Sequence, residues 1–207
     1  RWESEQLHDF VLFMANTGLR PDEVKRIQFR DVEIAEDEAL GDTILVIQVR
    51  GKRGVGYCKS TRGAVRPFER LKSRPRPPRA LTDAALEKLD DEEEWPLPEP
   101  TDLIFPKTHR ELFNTILVEE DLRFDREGRR RTAYSLRHTY ISMRLMEGAD
   151  IYQIAKNCRT SVEMIEKYYA AHLKTSLDAE AINRRKRRPK KKDRGDDRTS
   201  GADGSTD

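Results

Sequence analysis

Thr17-Gly18-Leu19-Arg20-Pro21-Asp22-Glu23 separates two helical patterns and sets the reading of the whole chain. Upstream, over residues 5–16, the apolar set Leu7, Phe10, Val11, Leu12, Phe13 and Met14 recurs at helical spacing. Thr17-Gly18 stops that helix, because glycine takes the left-handed C-terminal position at no steric cost. Pro21 then starts a second helix: a first-turn proline loses no intrahelical bond, and Asp22 and Glu23 lie near the positive end of the dipole. Val24 and Ile27 turn inward, and Arg20 is held between two helix ends.

Working outward, Ile44-Leu45-Val46-Ile47-Gln48-Val49 favours a strand, and Val55-Gly56-Tyr57-Cys58 follows after Arg50-Gly51-Lys52-Arg53-Gly54. Two glycines permit a tight turn there, so the expectation is a β-hairpin with Lys52 at its tip. Residues 73–78 and 95–100 are proline-rich and bracket a short helical piece, 82–89, as a surface excursion. A helix over 107–120 would bury Leu112, Phe113, Ile116 and Leu117, and a polar loop over 123–132 follows. Ser135 can cap the next helix, which runs to about residue 147, ends at Gly148 and precedes helices at 151–158 and 161–172. There are no internal repeats.

The 207 residues suffice for one substantial core, with 38% charged and 36% apolar side chains. The net charge of +2 averages Asp90-Asp91-Glu92-Glu93-Glu94 against a basic run over 184–192. In that run Arg184, Arg185, Lys186, Arg187 and Arg188 would gain from counterion release on a polyanion such as DNA; the plainer reading is a solvated, disordered tail. Two cysteines cannot build a disulfide framework, and the four histidines form no close-spaced metal pair. No apolar run approaches the roughly 20 residues of a membrane span, and Arg1-Trp2-Glu3 does not open a signal peptide. A cytoplasmic protein off the membrane is expected.

Phosphoryl transfer on DNA without a metal asks for several cationic donors around the phosphate, an in-line nucleophile, and an acid for the leaving oxygen. The Arg20 box, Lys52, Tyr134-Ser135-Leu136-Arg137-His138-Thr139 and the late stretch from Thr160 to Tyr168-Tyr169 supply that set in that order. In this order the set resembles the catalytic domain of the tyrosine recombinases, the phage-integrase family, with its T-G-L-R-x-x-E box, hairpin lysine, H-x-L-R-H box and late tyrosine. The resemblance spans about residues 7–173. It implies an α+β, mainly helical fold with a small antiparallel sheet on one side, a catalytic domain over 1–180, and a basic, then polar tail over 181–207. An N-terminal helical domain that closes a clamp on DNA in that family is expected to lie outside this chain.

By that resemblance Tyr169 is the nucleophile, forming a 3′-phosphotyrosyl intermediate, while Arg20 and Arg137 neutralise the phosphate oxygens. Lys52 protonates the leaving 5′-oxygen, although Arg53 or Lys59 could compete for that role. Tyr134 and Thr160 add hydrogen bonds. Tyr168 and Tyr169 point about 100° apart on a helix, and the family's count of nine residues from Thr160 selects Tyr169. Glu23 either fixes a site arginine or lysine or is an ordinary helix-start carboxylate. His138 is expected to pack beside and orient Arg137, with a direct acid or base role as the alternative; His172 caps its helix.

The sequence departs from the pattern at Tyr134, where a histidine is usual, and at Arg159-Thr160, where Gly-His or Gly-Trp is usual. Both Tyr134 and Thr160 keep a hydroxyl able to bond a phosphate oxygen. Arg159 is strained if the backbone there needs φ > 0. The resemblance implies no metal or cofactor, with double-stranded DNA as partner and a homotetramer formed on it. A type IB topoisomerase-like enzyme and a catalytically impaired DNA-binding relic are the alternatives.

Overall fold

The apolar stripe of the first helix buries Leu7, Phe10, Phe13 and Met14, and in the computed structural model that helix runs Trp2–Thr17 (α1). The model describes residues 1–38, 41–51, 54–76, 95–107 and 109–173. Gly18 closes α1 in the left-handed conformation at φ 64°, its N–H donating to Met14 O at 3.1 Å. A Cβ on Gly18 would lie 2.3 Å from Cδ1 of Tyr140, so the close approach and the backbone angle both demand glycine. One turn follows at Pro21–Val24 (α2), with Arg20 extended in front of it and its N–H donating to the Glu23 carboxylate at 3.0 Å.

The hairpin forms as expected, and a strand the sequence reading passed over joins it. Val32–Asp37 (β1), Asp42–Gly51 (β2) and Gly54–Lys59 (β3) make an antiparallel sheet in the order β1-β2-β3. Val32 pairs with Ile47, and Gly51 with Gly54, so the second hairpin is paired to its last described residues. Leu45, Ile47, Val49 and Cys58 turn to the core. Residues 52–53, and with them the expected place of Lys52, lie outside the described residues.

Val65–Ser73 (α3) is also additional to the sequence reading and buries Val65, Phe68 and Leu71. Arg110–Glu119 (α4) is shorter than the helix expected over 107–120. Ala133–Met146 (α5) begins at Thr132, not at Ser135: the Thr132 side chain accepts the Tyr134 N–H, and Ser135 Oγ in turn accepts the Thr132 N–H at 3.1 Å. This reciprocal box satisfies two otherwise orphaned donors. Ile151–Asn157 (α6), capped by Asp150, and Val162–Leu173 (α7) complete the described chain.

Two apolar clusters hold these elements. The first joins α1, the inner face of the sheet, α3 and the Ile104-Phe105 segment. The second gathers Tyr140, Ile141, Leu145, Ile154, Ala155, Cys158, Ile165 and Tyr169 from α5, α6, α7 and the link after α6. Asp9, fully buried on α1, accepts from Arg70 Nε at 2.9 Å and Arg74 Nη2 at 2.6 Å, a paired charge that ties α1 to α3 and the residue after it. The described residues fall within one compact unit, Arg1–Thr175. Seven α-helices and the three-stranded sheet among them make the fold α+β and mainly helical, as expected. None of these helices is long and apolar enough to cross a membrane. The helical piece expected over 82–89 and the tail over 181–207 lie outside the described residues.

Candidate active site

Arg137 projects from the second turn of α5 and is 2% exposed. Its Nη1 donates to Gly18 O at 2.6 Å and its Nη2 to Cys158 O at 2.7 Å, bridging the end of α1 to the end of α6. No carboxylate among the described residues pairs with it. Burying a cation against carbonyl dipoles alone is costly, and the remaining guanidinium N–H groups are left for an anion. Arg20 sits alongside: Nη1 donates to Glu23 Oε1 at 3.0 Å, and Nη2 to Arg159 O at 2.9 Å. Glu23, 3% exposed, therefore does two things at once: it caps the start of α2 through the Arg20 N–H, and it holds the Arg20 guanidinium.

Arg159 does adopt the strained backbone foreseen for it, at φ 54°. Such an angle in a residue other than glycine costs on the order of 1–3 kcal/mol unless its surroundings hold it. The side chain supplies that hold: Nη1 donates to Val49 O at 2.6 Å and Nη2 to Gly54 O at 2.7 Å, one on each strand of the second hairpin. Its Nε also lies 3.8 Å from Glu23 Oε1. The guanidinium lies along the backbone of Gly56, where a Cβ would meet Arg159 Nη1 at 3.5 Å, an ordinary van der Waals contact. At the base of β3, the Lys59 N–H donates to Asn157 Oδ1 at 2.8 Å, and Asn157 Nδ2 donates to Lys59 O at 2.9 Å. These long-range contacts have no local sequence signal.

A pocket of about 320 Å³ opens beside Arg137, lined by Tyr134, His138, Thr160, Tyr168 and Tyr169 among others. Tyr169 is 7% exposed and packs in the second cluster, whereas Tyr168 is 61% exposed with Lys167 over its ring. The Tyr169 hydroxyl meets His138 Nδ1, and the Tyr134 ring lies 5.1 Å from that of His138. His138 thus faces the tyrosine rather than orienting Arg137, because one residue along α5 turns its side chain onto α7. Burial pushes the Tyr169 hydroxyl up to about 12, with Arg137 pulling the other way. Burial, then Arg137, then Arg129 hold His138 below its ordinary value. Cys158 is pushed up to about 11 by burial, so it is a protonated packing residue at neutral pH.

The fold therefore gathers Arg20, Glu23, Tyr134, Arg137, His138, Thr160 and Tyr169 in one region. Lys59 is turned to Asp37 at 3.4 Å. Lys52, Arg53 and Arg184 to Arg188 lie outside the described residues, as does the side chain of His172. Among the described residues no group of three or more His, Cys, Asp or Glu is assembled as a metal site.

No sequence model of a protein family matches the chain, and no curated protein sequence matches it. Solved structures do. The catalytic domain of bacteriophage HP1 integrase superposes with a TM-score of 0.52 at 15% identity, over 88% of this chain and 89% of that one. XerA recombinase gives 0.51 at 19% identity, over 86% of this chain and 56% of that one. XerH site-specific recombinase, in a post-cleavage complex with a palindromic difH substrate, gives 0.52 at 18% identity, over 85% and 45%. The chain spans about half the length of the two Xer recombinases and nearly all of the phage domain. Its fold is that of the tyrosine recombinase catalytic domains.

Proposed function

We propose that the chain is the catalytic domain of a site-specific DNA recombinase, or integrase, that cleaves and rejoins strands through a 3′-phosphotyrosyl bond at Tyr169. The observation that carries this reading is a buried Arg137 with carbonyl partners only, opening on the pocket where the Tyr169 hydroxyl is held. An anion with several oxygens answers the unmet donors, and a nucleophile stands beside it.

In this reading Arg20 and Arg137 bind the non-bridging oxygens of the scissile phosphate, and charge that develops there meets donors already fixed in place. Tyr134 and Thr160 add neutral hydrogen bonds from the pocket wall. Tyr169 attacks phosphorus, and the 5′-oxygen leaves with a proton from Lys52 at the hairpin tip. The phosphodiester energy is conserved in the phosphotyrosine, so a second 5′-hydroxyl can reverse the step without a metal or a nucleotide cofactor. The domain covers residues 1–180, and the basic residues Arg184, Arg185, Lys186, Arg187 and Arg188 add sequence-independent phosphate contacts. Strand exchange between two duplexes calls for a homotetramer on double-stranded DNA.

Covalent capture on a nicked suicide substrate tests the reading. Wild type and Tyr168→Phe are expected to give a DNA-linked band on a denaturing gel, and Tyr169→Phe to bind DNA without one. A band with Tyr169→Phe, or none with wild type, overturns the assignment; the second result favours the DNA-binding relic.

A further inference from the structure

We infer that His138 is the general base of the reaction, taking the proton from the Tyr169 hydroxyl during cleavage and returning it on resealing. The inference rests on the phosphotyrosine reading above and deepens it. The geometric warrant is direct: His138 Nδ1 is the hydrogen-bond partner of the Tyr169 hydroxyl, with ring centroids 5.5 Å apart. With the ring proton on Nε2, Nδ1 presents its lone pair to the phenol, and the hydroxyl donates.

Tyr169 needs such a partner. With its hydroxyl pushed up to about 12, only roughly one molecule in 10⁵ carries a phenolate at pH 7. Of the polar groups that line the pocket, the Arg137 guanidinium offers donors only, and Tyr134, Tyr168 and Thr160 offer hydroxyls. The imidazole is the one neutral nitrogen base among those described.

The surroundings keep it in that form. His138 is faced by Tyr134 and Arg137 from α5, by Arg129 from the loop before α5, and by Tyr168 and Tyr169 from α7. The charged groups among these are both cations and both disfavour imidazolium, as burial does. Both also make a proton that has been transferred easy to return, which suits a step that must run backwards at resealing.

The step balances. As the bond from Tyr169 Oη to phosphorus forms, the Tyr169 proton moves to His138 Nδ1, the bond from phosphorus to the 5′-oxygen breaks, and the general acid protonates that oxygen. In resealing, the incoming 5′-hydroxyl gives its proton back to the deprotonated general acid as it attacks phosphorus, the bond from phosphorus to Tyr169 Oη breaks, and the His138 Nδ1 proton returns to the phenolate oxygen.

The test is the single-turnover rate of covalent capture by the full chain on the nicked substrate, measured against pH for wild type, His138→Ala and His138→Asn. Wild type is expected to speed up through the histidine titration, below pH 6.5, and then level off. Both variants should bind DNA and keep their circular dichroism, yet capture about 10²- to 10⁴-fold more slowly at pH 7. Their rates should climb with pH without that plateau, and added imidazole should partly restore His138→Ala. Variants that capture within threefold of wild type across the range, or that lose activity equally at every pH without imidazole rescue, overturn the assignment while capture by wild type leaves the phosphotyrosine reading standing. Absence of any wild-type adduct overturns both.

Discussion

Arg137 and Arg20 donate to the carbonyls of successive residues, Cys158 at 2.7 Å and Arg159 at 2.9 Å, so a single stretch of backbone fixes the spacing of the two guanidinium groups. The link after α6 is thus a ruler for the proposed phosphate site as well as a connection. Arg137 adds Gly18 O to the same frame, which joins both apolar clusters through one side chain.

Replacing either arginine by alanine is expected to separate folding from catalysis differently. Arg137→Ala leaves two carbonyls without a partner in a site only 2% exposed, so unfolding should become easier by about 2–5 kcal/mol, while Arg20→Ala, itself on the more open side but the close partner of the buried Glu23 carboxylate, should cost about 1–3 kcal/mol. Both should slow covalent capture by on the order of 10²-fold or more, far beyond any loss of DNA binding. Lysine should rescue neither, lacking the planar fork that spans two acceptors. Urea denaturation and capture assays on the four variants check this; parallel losses in binding and capture would mean that the arginines only position the duplex.

Gly18 carries a second consequence of that frame. Alanine there must hold φ 64° and place a Cβ 2.3 Å from Cδ1 of Tyr140, an aromatic wall of the second cluster. The backbone penalty and the overpacking together should cost about 2–5 kcal/mol, and the shift of Gly18 O away from Arg137 should slow capture as well. A denaturation midpoint unchanged in Gly18→Ala would show that α1 ends with more freedom than its contacts imply.

What the sequence made legible follows from the range of each interaction. The α1 stop, the α2 start and the second hairpin were readable because glycine, proline and β-branched runs act locally. In Val32 to Asp37 only Val32 and Ile34 alternate with a polar residue, Glu33; Ala35 then breaks the period and Glu36-Asp37 end the stretch on two charges, which weakens the strand signal. Val65, Phe68 and Leu71 carry the spacing of α3, yet Pro67 inside the stretch argues against a helix until it is seen to fall in the first turn. The site residues were legible only as an ordered set. That His138 faces Tyr169, and that Arg159 grips the hairpin, depend on contacts across 31 and 110 positions, which no local pattern encodes.

The hairpin is where the site's remaining chemistry is to be sought. Arg159 pins Val49 O on β2 and Gly54 O on β3 to the same backbone stretch that holds Arg20 and Arg137. If Lys52 protonates the leaving 5′-oxygen, Lys52→Ala should stall cleavage of an ordinary phosphodiester but spare a 5′-bridging phosphorothiolate, because sulfur departs without protonation. Lys59→Ala should cleave both, since Lys59 is engaged with Asp37. Arg159→Ala should fall between them: the oxygen substrate slows because the hairpin end is no longer held, the sulfur substrate slows less, and amide exchange quickens around Val49 and Gly54. Should the sulfur substrate rescue Lys59→Ala and not Lys52→Ala, the proton comes from the base of the hairpin rather than its tip. Should Arg159→Ala leave the ratio of the two substrates at its wild-type value, the arginine supports the fold alone and takes no part in aiming the acid.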